Sequence, residues 1–240
     1  MKRPEESPRQ WFDEHATFYD DFNLREDSEH YVALRYVSSF IAAHGISSIL
    51  DVGCGTGRAV KYFLDKHPSV RVHGIEPARG MIHQAVSKHA IAAELLTCGV
   101  GESLPFANES FDAVCEFGCL HHVSRPNVIV SEMLRVARKA VFLSDSNRFG
   151  QGSMPARLAK LALYKVGLWG TANWLKTRGK GYTFGDAIQY SYSVYDSFHL
   201  LARWADRVIF IPTRKEKAVS WFHPLLTAGH ILACAIRDER

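Results

Sequence analysis

The chain has 240 residues, of which 47% are hydrophobic, 12% aromatic and 22% charged. That make-up excludes a disordered polymer, a collagen-like repeat and a disulfide-stapled miniprotein. The length suits one large domain, or one domain with an insertion, and can bury a two- or three-layer core. The formal net charge of +4 is unevenly spread. Residues 1–150 hold 16 basic and 19 acidic side chains, a net of −3, whereas residues 151–240 hold 13 and 6, a net of +7. No acid occurs from Ser146 to Gly185, while Arg148, Arg157, Lys160, Lys165, Lys176, Arg178 and Lys180 all do. Such a segment is either a solvated basic face or a surface that meets something anionic.

The five cysteines fit no zinc site, because Cys115 and Cys119 have no second pair to complete a ligand set. Cys98, Cys115 and Cys234 lie in apolar runs and read as reduced core residues. The first ten residues lack the apolar stretch of a secretory signal. No run approaches the roughly 18 apolar residues of a spanning helix. The expectation is a soluble, cytoplasmic protein.

In chain order, residues 1–10 read as a polar tail and Trp11 to Phe22 as a short aromatic, acidic helix. Ser28 caps a helix that runs to about His44, with Gly45 as its stop. A short apolar strand, Ser48 to Val52, leads into Gly-Cys-Gly-Thr-Gly and a helix to about Lys66. Strands follow at 70–75, 93–98, 111–115 and 140–143, with helices at 79–89 and 126–137 between them. Strands alternating with helices point to βαβ units, a mostly parallel sheet and right-handed crossovers. The alternation stops after Ser144. Residues 146–192 are rich in glycine and aromatics and read as a cap over the carboxyl ends of the strands. Within them, Arg157 to Trp174 reads as one basic amphipathic helix. Ser193 and Asp196 form a capping pair for a helix through Trp204, and strands at 207–211 and 230–236 close the chain. The organisation is thus a helical arm (1–44), a core (45–145), a cap (146–192) and the end of the core (193–240).

The informative loop is Ile49-Leu-Asp-Val-Gly-Cys-Gly-Thr-Gly-Arg58. Glycines let a ligand approach the backbone, and the helix that follows offers free N–H groups. A dinucleotide fingerprint wants G-x-G-x-x-G, but Gly57 comes one residue early and Arg58 follows it. Asp51, inside the strand, suits a cationic ligand group better than a pyrophosphate. Glu76 ends the second strand, where a carboxylate can accept from both hydroxyls of a ribose. Gly99 to Val114 supplies a further glycine loop and a Leu-Pro-Phe turn able to set backbone N–H groups against an adenine edge.

These segments together resemble the class I S-adenosylmethionine-dependent methyltransferases of the type 11 family. ILDVGCGTGR is similar to that family's first motif, Gly74 to Ile82 to its second, GESLPFANESFDAV to its adenine-loop motif, and Cys119-Leu-His-His-Val123 to its Leu-His-His segment. The resemblance spans about residues 45–145. It implies a Rossmann-like α/β fold with a seven-stranded sheet of order 3-2-1-4-5-7-6. It implies that Asp51, Gly53, Cys54, Gly55 and Gly57 line the methionine end of S-adenosylmethionine. Glu76 and Pro77 would sit at the ribose with Met81 nearby, Gly101 and Glu102 at the adenine, and Glu116 and Phe117 beside the methionine moiety. Tyr19, in Ala16-Thr-Phe-Tyr-Asp20, resembles a covering arm. Val100 departs from the family's common Asp.

A sulfonium methyl is already activated, so the protein must align nucleophile, carbon and sulfur and exclude water. A base is needed only for a neutral hydroxyl or a carbon acid. His121 and His122 are the candidate bases; His121 is also a candidate cofactor contact. Asp145 and Asn147 are candidates to orient an acceptor. The aromatics Tyr164, Trp169, Trp174, Tyr182, Phe184, Tyr190 and Tyr192 are candidates to shape its pocket. The expected reaction is methylation of a small molecule at oxygen, a saccharide or another metabolite, with an anionic acceptor favoured by the basic cap. Quinone or lipid C-methylation, a peripheral membrane acceptor, a non-catalytic cofactor-binding module and an RNA methyltransferase are the alternatives. The modest net charge and missing Asn/Asp-Pro-Pro-Tyr motif count against RNA. The oligomeric state stays open.

Overall fold

The computed structural model describes residues 8–23, 28–178, 182–183, 188–214 and 221–238. Helix α1 (Pro8–Asn23) begins where a polar tail was expected, and α2 (Glu29–Ala43) is capped by Ser28 and ends before Gly45, which takes the left-handed φ of +54°. The alternating core follows: β1 (Ser48–Val52), α3 (Arg58–Lys66), β2 (Arg71–Glu76), α4 (Arg79–Ser87), β3 (Leu96–Cys98), β4 (Phe111–Phe117), α5 (Pro126–Val136) and β5 (Ala137–Ser146). Two short helices, α6 (Met154–Lys165) and α7 (Trp169–Thr177), precede α8 (Phe198–Trp204), β6 (Arg207–Pro212) and β7 (His230–Ile236). Among the described residues, no helix is long and apolar enough to cross a membrane.

The sheet order is β3-β2-β1-β4-β5-β7-β6, as the resemblance implies, with β7 antiparallel to both neighbours. The apolar runs of the central strands are buried on both faces. Side chains alternate across the sheet: Ala113, Cys115 and Phe117 of β4 meet α2 and α3, while Val114 meets the α5 and α8 layer. Fully burying a side chain such as Phe63 or Leu50 contributes about 1.5–3 kcal/mol.

Several boundaries move. The strand expected at 93–98 keeps only its last three residues, because Ala93–Leu95 form a 3₁₀ turn. β5 is longer than its apolar centre, since β7 pairs with it as far as Ser146. Cys98 is exposed at the sheet's edge rather than in the core, whereas Cys115 and Cys234 are buried thiols. The single amphipathic helix expected over 157–174 is broken at Gly167, whose φ of +75° ends α6. The capping box of Ser193 and Asp196 forms, but it starts a 3₁₀ turn that then leads into α8.

The basic cap is also less free than its composition implies. Arg148 is 5% exposed and makes a two-pronged ion pair with Asp196. Its guanidinium stacks 5.4 Å from the Tyr164 ring and 5.2 Å from the Trp169 ring. Arg157 donates to the carbonyls of Gly152 and Leu226, and Lys160 to those of Arg148 and Gln151. Three of the seven cations are therefore spent on folding. Trp174 is exposed, Tyr192 is buried with its hydroxyl on Ser197, and the Tyr182 side chain and Phe184 lie outside the described residues. Removing one partner of a buried ion pair strands the other charge. Arg148→Ala is expected to lower stability by about 3 kcal/mol in a denaturant melt, while Lys165→Ala changes it by less than about 0.5 kcal/mol.

Candidate functional site

β1 is the strand at which the chain's winding reverses, pairing with β2 on one side and β4 on the other. In open α/β sheets a crevice opens at that point, beyond the strands' carboxyl ends. Here it is a cavity of about 320 Å³. Asp51, Gly53, Cys54 and Gly55 line it from β1 and its loop, and Glu76, Pro77 and Met81 from β2 and α4. Gly101, Glu102 and Val100 line it from the loop after β3, so the position of the family's Asp offers no carboxylate here. Phe117 and His122 line it from the end of β4, Tyr19 from α1 and Tyr190 from the cap.

The glycine loop shows why side chains are absent from it. Gly55 has φ +55° and a Cβ there would meet nothing within 4 Å, so its backbone faces open space. Gly57 does something else. Its φ is +87°, and a Cβ would lie 2.2 Å from Ile91 Cδ1, so it lets the loop pack down rather than lining the cavity.

Two carboxylates stand at the strand ends. Glu76 is 6% exposed, and its two oxygens accept from the amides of Gly55 at 3.0 Å and Ala78 at 2.9 Å. These bonds fix the carboxylate's plane and leave lone pairs for a ligand. Burial nevertheless pushes its carboxyl up to about 7. Asp51 is 2% exposed and is likewise pushed up to about 7, by burial, with Arg58 pulling down and Glu76 pushing further up. Glu116 differs from expectation: it is fully buried behind the cavity wall and does not line it. Its Oε2 accepts from the amides of Gly118 and Cys119, and its Oε1 has no partner. Burial, then the neighbouring Asp145, push its carboxyl far above the usual range.

His121 and Asp145 also stand back from the cavity. Asp145 is completely buried and accepts from the amides of Leu120 and His121 and from His121 Nδ1 at 2.8 Å. Burial alone would raise its carboxyl, but His121, His230 and the Ser146 amide together outweigh that and hold it below the usual range. Asp145 thus orients His121 and is not presented to an acceptor. The His121 ring centroid lies 4.0 Å from that of His122, which does line the cavity. Asn147 is fully buried in a turn, where its amide donates to the carbonyls of Leu225 and Ala228.

The arm is held by residues that the sequence reading passed over. Asp20 accepts from Thr56 Oγ1 at 2.6 Å, His89 Nε2 at 2.7 Å and Lys88 Nζ at 3.2 Å, which pins α1 to the glycine loop. Asp13 accepts from the Gly80 amide at 2.7 Å. Beside Tyr19, α1 contributes Arg9 and Phe12 to the cavity. The available signal was an acid inside an aromatic helix, whose partners lie 36 and 69 residues away.

The geometry fits what known proteins share with the chain. Residues 50–144 match the family model of the methyltransferase domain. An uncharacterised methyltransferase of Mycobacterium avium is 38% identical over 101 residues, covering 40% of this chain and 39% of the relative. A malonyl-[acyl-carrier protein] O-methyltransferase of Hahella chejuensis is 34% identical over 90 residues, covering 38% of this chain and 32% of the relative. The matched stretch is thus well under two thirds of either relative. The magnesium protoporphyrin IX methyltransferase of Synechocystis, solved with bound S-adenosylmethionine, superposes with a TM-score of 0.58 at 13% identity, over 99% of this chain and 100% of that one. This last likeness is one of fold.

A carboxyl raised above its unfolded value binds its proton more tightly in the folded state. The cost of ionising it therefore grows as pH rises through about 7. The stability gained by Asp51→Asn over the wild type is expected to be larger at pH 8 than at pH 6, by about 1.4 kcal/mol, in paired thermal melts.

Proposed function

We propose, from the premise that residues 50–144 form a class I S-adenosylmethionine-dependent methyltransferase domain, that the chain binds that donor and methylates a small-molecule acceptor at oxygen. The observation that carries the reading is the pair of buried carboxylates, Asp51 and Glu76, around a glycine loop whose Gly55 backbone faces open space. A desolvated carboxylate without a full counter-charge is costly, and an ammonium group answers that cost. Asp51 would hold the amino-acid end of the donor. Glu76, its plane already fixed by two amides, would accept from the ribose hydroxyls. Gly101 and Glu102 would flank the adenine, with Met81 and Pro77 packing beside the sugar. Tyr19, Phe12 and Arg9 on α1 would close over the donor, the arm being secured by Asp20 on Thr56.

The donor supplies a methyl group already activated by a sulfonium. What the protein must add is alignment, exclusion of water and a place for the acceptor's proton. His122 faces the cavity and His121 stands behind it, its ring centroid 4.0 Å from that of His122. An ionised Asp145 accepting from His121 Nδ1 makes that nitrogen the protonated one and leaves the lone pair on Nε2. This pair favours an acceptor that must lose a proton, a hydroxyl or a carbon acid, and oxygen is our choice between them. The O-methyltransferase among the relatives supports the same choice. Tyr190 and the cap residues 146–192 would set acceptor shape, with the arm 1–44, the core 45–145 and the end 193–240 as supporting parts.

Calorimetric titration of the wild type with S-adenosylhomocysteine is expected to show binding in the micromolar range. Asp51→Ala and Glu76→Ala should abolish it. In a metabolite screen with isotopically labelled donor, Asp145→Asn should keep that affinity and lower turnover by about 10²-fold or more. A wild type that binds no S-adenosylhomocysteine would overturn the reading.

A further inference from the structure

A second cluster lies outside the cavity, where the start of α2 meets the start of β7. Glu29, His30 and His230 each bring one donor atom to within 4.8 Å of the others. The two imidazole rings stand edge to face, their centroids 5.1 Å apart. His30 Nδ1 and His230 Nε2 are shut off from solvent and have no hydrogen-bond partner. A buried polar nitrogen left unpaired destabilises the fold. Two of them side by side, with a carboxylate alongside, call for a ligand that accepts lone pairs.

We propose that Glu29, His30 and His230 bind one divalent transition-metal ion, with zinc the ion whose preferences they match. Two imidazoles and one carboxylate form a borderline-soft donor set, which leaves further positions for water. Burial favours the neutral, lone-pair form of both rings. The remaining ring nitrogen of His230, Nδ1, is bonded to Thr213 Oγ1 at 2.7 Å. A second partner of this kind fixes the ring and tautomer of a metal-bound histidine. Arg214 sits 3.4 Å from Glu29 Oε1, so a cation already stands against this carboxylate. Its side chain is 55% exposed and can swing into solvent when an ion takes its place. The site adjoins the cavity without being part of it: Gly118 lines the cavity, and a Cβ there would lie 2.5 Å from His30 Cε1. An ion would tie α2 and β7 together directly behind that wall.

The test uses the full chain, stripped by a chelator and titrated with zinc chloride by calorimetry, with cobalt(II) uptake read by visible absorption. The wild type should take up one equivalent per chain. Glu29→Gln, His30→Ala and His230→Ala should each weaken uptake at least about tenfold, and Thr213→Val should weaken it less. The exposed-surface control His83→Ala should bind as the wild type does. Glu29 is partly exposed, so its variant remains informative if the histidine variants fail to fold. No uptake by the wild type, or uptake unchanged in Glu29→Gln, would overturn the proposal.

Discussion

Two acids are held dry at the ends of adjacent parallel strands, and much of the molecule is arranged around that fact. Asp51 is the penultimate residue of β1 and Glu76 the last of β2, and the register of those strands brings them to one crevice. Neither is neutralised by an ion pair, and burial raises both. A fold that needed only stability would place apolar side chains there. The glycine loop, the arm and the left-handed Gly57 together keep these carboxylates dry and keep a space in front of them. On the proposed reading, that standing cost would be the source of binding energy for a ligand with a cationic head and a diol.

What the sequence disclosed, and what it did not, follows from the range of the interactions. The loop around Gly53, Gly55 and Gly57 was legible because strand, turn and helix start are adjacent in the chain. The sheet order came from alternation of elements together with the family resemblance. Contacts that bridge distant segments were not legible. Asp145 read as a group facing an acceptor, yet its partners, the His121 ring and three amides, turn it inward. Glu116 read as a cavity residue, but β4 is sandwiched on both faces and takes that side chain into the interior. The arm was assigned to Tyr19, while the bonds that hold it belong to Asp20 and Asp13.

The cap illustrates how composition misleads. A stretch without acids looked like a surface for an anion, but three of its seven cations are answered by groups within the fold. Asp196 lies beyond the stretch and takes Arg148, and backbone carbonyls take Arg157 and Lys160. The glycine at 167 breaks what periodicity presented as one helix. Among the described residues, the one that faces the cavity from the cap is the aromatic Tyr190.

The two halves of the site therefore differ in kind. The donor side is rigid and local, built from one loop and two strand ends. On the proposed reading the acceptor side is assembled from the end of β4 and the cap, and its chemistry would rest on a histidine pair braced by Asp145. If the dry carboxylates are the centre of recognition, a ligand must bind their charged forms and drive out the protons they hold near pH 7. Calorimetry of S-adenosylhomocysteine binding at pH 7, in two buffers of different ionisation enthalpy, reads that exchange directly. Net release of protons on binding is the expected result, and proton uptake, or none at all, would contradict it.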